Sequence, residues 1–264
     1  MSPNRTEAQP LAFITGASSG LGQALALRFA RAGWRLALVA RRGAELQSWV
    51  DAQGFAPGQA QVYAADVRDV RGIVDAGADC IARQGLPDAV VANAGISVGM
   101  DTADFDDLEV MRATFETNVL GMAASFHPFV EGMRQRGSGR LVGIASVAGI
   151  RGLPGHGAYC ASKAAAISYC ESLRGECKPS GVSVVTIVPG YIDTPLTRGN
   201  RYAMPFLMAA EDFAERAYAA IVAGDSYRVI PWQMGVLAKL LRLLPNALFD
   251  RALSRRQRKK RRQE

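Results

Sequence analysis

Histidine is nearly absent from this chain: His127 and His156 are the only two in 264 residues. The four cysteines, Cys80, Cys160, Cys170 and Cys177, form no C-x-x-C pair and show no metal-ligand spacing with either histidine. A zinc site and a dithiol redox pair are therefore not encoded, and four free, mostly buried thiols in a reducing compartment are expected. No run of about eighteen uncharged apolar residues occurs, so no membrane-spanning helix is expected. Residues 1–9 contain no apolar stretch of the kind that directs secretion, and they read as a disordered N-terminus. A cytoplasmic protein is expected.

A surplus of positive charge is also missing from most of the chain. The formal net charge is +7, yet Arg251, Arg255, Arg256, Arg258, Lys259, Lys260, Arg261 and Arg262 supply eight cations near the C-terminus. With those set aside the remainder carries −1, so the basicity belongs to the tail. The apolar fraction of 49% and the length allow one large α/β core without a second domain.

What the chain does have is a glycine-rich turn near its start. Leu11-Ala12-Phe13-Ile14 reads as a buried strand, and Gln23 to Arg31 as a helix rich in alanine and leucine. Between them stands Thr15-Gly16-Ala17-Ser18-Ser19-Gly20-Leu21-Gly22. Such a turn gathers backbone N–H groups at the positive end of a helix dipole, which suits a pyrophosphate. Gly16 permits the tight turn, Gly20 a close approach of ligand, and Gly22 close packing of helix on sheet. The same residues fit G-x-S-x-G, the nucleophile elbow of a hydrolase with Ser18 as nucleophile. That alternative needs a histidine late in the chain, where none exists.

Further along, short apolar runs at 34–40, 61–65, 89–92, 140–145, 182–188 and 227–231 read as strands. Helical stretches at 44–53, 70–83, 157–178 and 211–223 lie among them. Residues 104–121 and 122–136 read as two helices, or as one kinked near Gly121 and Pro128. The alternation predicts an α/β fold, a Rossmann-type doubly wound parallel sheet, with ligand groups at the C-terminal ends of the strands. One domain over 10–231 is expected, followed by an amphipathic and basic tail over 232–264.

Arg41-Arg42 ends the second predicted strand, where an acid would hold a ribose 2′-OH and an arginine would accommodate a 2′-phosphate. Tyr159-Cys160-Ala161-Ser162-Lys163 sets a phenol and an ammonium one helical turn apart. A nearby Lys⁺ favours the phenolate, which would lower the Tyr159 pKa and make it a general acid or base for a carbonyl/alcohol pair.

The glycine-rich turn, Asp66, Asn93-Ala94-Gly95, Asn118, Ser146, the Y-x-x-x-K pair and Pro189-Gly190 with Thr194 occur in one order and spacing. Together they resemble the short-chain dehydrogenase/reductase family over about residues 10–231. Ala92 stands where many members have a second asparagine. The resemblance implies an oxidoreductase in which Tyr159 moves the proton and Ser146 holds the carbonyl oxygen. Lys163 would hold the nicotinamide ribose, and Asn118 a water linking Lys163 to solvent. It further implies cofactor contacts from Gly16, Ser18, Ser19, Gly20, Leu21, Gly22, Asp66, Val67, Asn93, Ala94, Gly95, Pro189, Gly190, Ile192 and Thr194. With Arg41 and Arg42 facing a 2′-phosphate, NADP(H) is expected in preference to NAD(H). No metal is required. A homodimer or homotetramer is implied by resemblance alone, through the helices near 104–136 and 157–178. A dinucleotide-binding regulatory or scaffold protein of the same fold is the competing class, and the complete Asn118/Ser146/Tyr159/Lys163 set argues against it.

Residues 196–210 fall where the family builds a substrate lid, and Tyr202, Met204, Phe206, Leu207 and Met208 make that cover apolar. A hydrophobic carbonyl or alcohol substrate is the functional reading; packing of these residues on the body is the other. Trp232, Val236, Leu237, Leu240, Leu241 and Leu244 recur at helical spacing, and Leu248, Phe249, Ala252 and Leu253 follow Pro245. Followed by the basic run, this resembles an interfacial anchor for anionic lipid at the inner face of a membrane. Cover for the body or a partner subunit, and a solvated basic end, remain open. No aromatics interleave with the cations, which argues against nucleic acid.

Overall fold

The computed structural model describes residues 9–200, 203–253 and 261. Most of the basic run, Tyr202 and residues 1–8 lie outside them. Seven strands form one parallel sheet in the order β3-β2-β1-β4-β5-β6-β7. They are β1 (Leu11–Thr15), β2 (Arg35–Ala40), β3 (Ala60–Ala64), β4 (Ala89–Ala92), β5 (Gly139–Ile144), β6 (Val182–Pro189) and β7 (Tyr227–Ile230). The helices that make the crossovers are α1 (Gly20–Arg31), α2 (Gly43–Ala52), α3 (Val70–Gln84), α4 (Asp107–Phe115), α5 (Gly121–Arg136) and α6 (Gly157–Cys177). After β6 come the short α7 (Pro195–Arg198), α8 (Ala210–Ala223), α9 (Trp232–Leu243) and α10 (Asn246–Leu253).

The strands are apolar throughout because both faces are covered. In β1 the period-two alternation sends Ala12 and Ile14 to the layer of α1, α2 and α8, and Leu11 and Phe13 to that of α3, α5 and α6. Phe13 meets Phe129 with ring centroids 4.8 Å apart, and on the opposite face Phe29 stands edge-on to Trp34 at 4.9 Å. Each such ring contributes roughly 1.5–3 kcal/mol by leaving water. Cys80, Cys160, Cys170 and Cys177 are free and buried.

The chain passes from β1 outward to β2 and β3, then returns across the sheet to β4 on the other side of β1. The connections on the two sides diverge there and leave a crevice beyond the C-terminal ends of β1 and β4. Most element ends fall within one or two residues of the sequence expectation, the ordinary scatter of helix and strand termini. The stretch 104–136 differs in kind. Of the two readings the single long helix is the one found, its irregularity being a π-helical turn, Glu116–Leu120, through which α4 continues into α5 just before Gly121. The wide turn lets the helix take in one extra residue. Just after it Gly121 sits against Val67, where an added Cβ would come 2.9 Å from Val67 Cβ. Pro128 lies inside α5 and packs on Gly77 of α3.

Candidate active site

The glycine-rich turn brings three close approaches to the head of α1. Gly16 has φ +67°, and a Cβ there would lie 2.8 Å from Ala94 Cα. A Cβ on Gly22 would fall 2.1 Å from the Gly16 carbonyl oxygen, so only glycine lets the helix start this near the turn. Gly20 faces Thr194, whose Cβ would be 3.3 Å from an added methyl. Ser19 is the N-cap of α1, yet its side chain makes no cap hydrogen bond and the first turn carries no acid. The amides at this helix end therefore lack the usual side-chain acceptor and point their dipole at the crevice, a donor set that fits an anionic pyrophosphate.

Asn93 fastens β4 to the turn, its Nδ2 donating to Thr15 O (3.0 Å) and Gly16 O (3.3 Å). Thr15 Oγ1 in turn accepts from Asn93 N (3.1 Å) and Ala94 N (3.2 Å). At the end of β2, Arg41 Nη1 stands 3.8 Å from Asp66 and Arg42 Nε 3.1 Å from Glu45. These pairs are exposed, hold their cations weakly, and leave both guanidinium groups able to turn to a stronger anion.

Ser146 ends the loop after β5, and its Oγ accepts from Ala148 N at 3.2 Å. It lines the same cleft as Tyr159. Tyr159 and Lys163 occupy consecutive turns of α6, but the ammonium turns toward the sheet. Its Nζ donates to Ile144 O at 2.7 Å and lies 5.9 Å from the Tyr159 ring centroid. The expectation that Lys163 lowers the Tyr159 pKa is corrected accordingly. Burial pushes the phenol up, and the group that pulls it back down is Ser146. Lys163 itself is brought down to about 8 by burial.

Asn118 sits in the π-helical turn and is fully buried. Its Nδ2 donates to Ile96 O (3.0 Å) and Ser162 Oγ (3.0 Å), and its Oδ1 accepts from Ile96 N (2.9 Å). Both amide hydrogens are thus committed to the protein, and the side chain acts as a clamp between the segment after β4 and α6. An added Cβ on Gly95 would stand 3.2 Å from Asn118 Oδ1 and 3.4 Å from Lys163 Nζ, so the two side chains converge on that residue.

A cleft of about 460 Å³ opens over these groups. It is lined by Gly16, Ser18, Ser19, Gly20, Leu21, Arg41, Arg42, Asp66, Val67, Asn93, Ala94 and Gly95, and on the other side by Ser146, Tyr159, Lys163, Pro189, Gly190, Ile192 and Thr194. Of the residues singled out from sequence, Gly22 and Asn118 stand behind the wall. Thr15, Ser162 and Arg68 were not foreseen. Arg68 lines the cleft and pairs with Glu116 at 3.1 Å, and Ser162 Oγ donates to Tyr159 O at 2.9 Å. Ser162 follows Tyr159 by three residues, one helical turn, which is the signal that could have found it. The cleft that Ser18 lines includes neither histidine: His127 is exposed, and His156 Nδ1 lies 3.1 Å from Pro154 O. The hydrolase alternative therefore lacks its base. Among the described residues no cluster of three potential metal ligands occurs.

Above the cleft, the strand-like contact of Ile192 with Met208 ties the 196–210 segment to its start. Leu196 (44%), Phe206 (52%) and Leu207 (49%) of that segment remain exposed.

A family model for short chain dehydrogenases matches residues 10–204. An uncharacterized oxidoreductase of Myxococcus xanthus is 41% identical over 92% of this chain and 96% of its own length. Among solved structures, a short-chain dehydrogenase from Streptomyces avermitilis superposes with a TM-score of 0.78 at 28% identity, over 89% of this chain and 94% of that one. An alcohol dehydrogenase from Thermococcus sibiricus, complexed with 5-hydroxy-NADP, gives a TM-score of 0.74 at 25% identity, over 84% and 96%.

Proposed function

This chain belongs to the short-chain dehydrogenase family and is an oxidoreductase, and from that premise we propose that it interconverts a carbonyl and a secondary alcohol on an apolar compound, with NADP(H) as its dinucleotide. The observation that carries the reading is that Ser146, Tyr159 and Lys163 line one cleft together with the glycine-rich turn. When bound, the nicotinamide dinucleotide supplies or accepts the hydride, and the chain's residues do the rest. Tyr159 keeps its proton at neutral pH because burial raises its pKa, so it is poised to donate to a carbonyl oxygen in the reducing direction. Ser146 lowers the Tyr159 pKa and so favours release of that proton, and it would hold the same carbonyl oxygen. Lys163, with a pKa near 8, remains mainly protonated at neutral pH and presents a cation to the ribose.

Arg41 and Arg42 support NADP(H) over NAD(H): two cations and no acid follow β2. The 5-hydroxy-NADP held by the Thermococcus neighbour agrees with that assignment. The exposed apolar side chains of 196–210 support a hydrophobic substrate. We further place the protein in the cytoplasm as a homodimer or homotetramer, with its C-terminal segment meeting the inner face of a membrane.

The test is NADPH oxidation followed by absorbance against ketones and aldehydes graded from short to long chain, with Tyr159→Phe as control. Rates that rise with chain length and fall at least a hundredfold in the variant, while NADPH still quenches protein fluorescence, are expected. Turnover confined to small polar carbonyls would remove the apolar-substrate reading. NADPH binding without Tyr159-dependent turnover of any carbonyl would favour the binding-only class.

A further inference from the structure

We propose that the outward face of α9 docks the protein on an anionic lipid surface, beside the entrance to the cleft. α9 is apolar on two sides. Met234, Gly235 and Ala238 are buried, Gly235 against Val229 of β7 and Met234 against Gly190. On the other side Trp232 (66%), Val236 (49%), Leu240 (58%) and Leu243 (80%) face solvent. Their spacing of four, four and three residues aligns them in one stripe along the helix. Leu248 of α10 is also exposed. Large side chains aligned in this way on a soluble surface mark a place of contact.

Charge decides what the stripe contacts. α9 carries no acid, and Lys239 and Arg242 are exposed along it. Beyond α10 the sequence runs on through Arg255, Arg256, Arg258, Lys259, Lys260 and Arg262, which lie outside the described residues. A second copy docked through the same stripe would offer Lys239 and Arg242 no opposite charge from its own α9, which carries only cations. A nucleic acid or a polyanionic peptide would match the cations and leave an indole and three aliphatic side chains in water. A bilayer bearing acidic headgroups meets both needs, with negative charge at its surface and hydrocarbon just beneath. The long stems of Lys239 and Arg242 can lie along the apolar stripe while their charges reach the headgroups. At twelve residues α9 is about 18 Å long, suited to lying in the interface. No helix among the described residues is long and apolar enough to cross a membrane.

The placement also bears on substrate. α9 begins one residue after Pro231, which packs on Gly190, and the segment with exposed Leu196, Phe206 and Leu207 is tied back at Tyr191 and Asp193. Both apolar surfaces therefore hang from the stretch 189–194 that lines the cleft. An apolar carbonyl dissolved in the bilayer would enter there. That last step rests on the apolar-substrate reading; the docking does not.

The test uses the full chain in sedimentation with vesicles of phosphatidylcholine alone and of phosphatidylcholine with phosphatidylglycerol. Binding at least tenfold stronger to the anionic vesicles, falling with added salt, is expected. Bromine-labelled lipids should quench a share of the tryptophan emission that Trp232→Phe removes. Leu240→Asp with Leu243→Asp should cut binding at least tenfold while leaving turnover of a short water-soluble carbonyl unchanged. Lys239→Glu with Arg242→Glu should abolish the preference for anionic vesicles. Equal sedimentation of the Leu240/Leu243 double variant, or no binding at low salt, overturns the proposal. So does a drop in oligomer size in that variant by light scattering, which would make the stripe a subunit contact. Vesicle binding without carbonyl turnover would keep the docking and remove the substrate reading; turnover without vesicle binding would do the reverse.

Discussion

Lys163 is a cation held where water scarcely reaches, with a single carbonyl, Ile144 O, for its ammonium. Burial lowers its pKa from 10.5 to about 8. The folded protein therefore binds fewer protons at this site than the unfolded chain between those values, and stability from this group rises with pH across that window. Below the lower value the full cost of burying the charge is present. Lys163→Met should be more stable than the native chain near neutrality, with the advantage shrinking by about 2 kcal/mol between about pH 7.5 and about pH 9.5. Denaturant unfolding of both proteins at the two pH values measures it, and an advantage independent of pH would show that the ammonium is not desolvated. Arg41 gives a second expectation. A guanidinium on a phosphate contributes roughly 1.5–3 kcal/mol, so Arg41→Ala should raise the KM for NADPH about tenfold or more and leave that for NADH nearly unchanged. Equal effects on the two cofactors would place Arg41 away from the 2′-phosphate. The position of Tyr159 and Lys163 in the cleft was legible from their spacing. The direction in which Lys163 points was not, because the carbonyl it selects belongs to a strand nineteen residues away.

At the scale of elements, the π-helical turn Glu116–Leu120 serves to aim Asn118. In an unbroken α-helix Asn118 would be one more interior residue; here its amide joins the segment after β4 to Ser162 of α6. Asn118→Ala would leave Ile96 N without its Asn118 acceptor and Ile96 O and Ser162 without this donor, a cost of roughly 3–9 kcal/mol on the basis of about 1–3 for each of the three groups stranded. Turnover should fall together with stability, because Ser162, which accepts from Asn118, donates in turn to the Tyr159 carbonyl oxygen within the helix that carries both. Thermal unfolding alongside kcat tests this, and a kcat loss with unchanged stability would mean that Asn118 acts on the reaction without bracing the fold. The seven strands were legible because each is a short apolar run ended by a polar residue, a pattern that parallel burial imposes. The π-helical turn was not legible. Its residues share the helical backbone region with α4 and α5, and the partners that meet it, Ile96 on Asn118 and Val67 beside the following Gly121, are distant in sequence.

For the molecule as a whole, the C-terminal arm returns to the loops that carry the candidate catalytic groups. Arg151, five residues beyond Ser146, donates to the carbonyl oxygens of Leu241 and Leu244 (2.8 Å for the latter), reaches Asn246 Oδ1 at 3.2 Å, and lies over the Phe249 ring at 3.8 Å. Farther on, Arg261 pairs with Asp104 and with the buried Asp107, at 2.8 Å for the latter, and its backbone meets Gly99. Met100, next to Gly99, accepts from Ala158 N through its sulfur, one residue before Tyr159. Sequence pattern alone could not choose which side of α9 is buried, since both are apolar and the clamp lies about ninety residues upstream. Arg151 gathers the end of α9 and the start of α10 in one side chain, so Arg151→Ala should release α10 while the sheet stays intact. Hydrogen exchange across residues 241–253 should quicken about tenfold or more, with the β-strand amides unchanged, since sub-global openings are set by local contacts. If the anionic surface holds the arm in the same pose, vesicles should restore part of that protection. Unchanged exchange in the variant would mean that the packing of Met234 and Ala238 suffices and that Arg151 only decorates the junction.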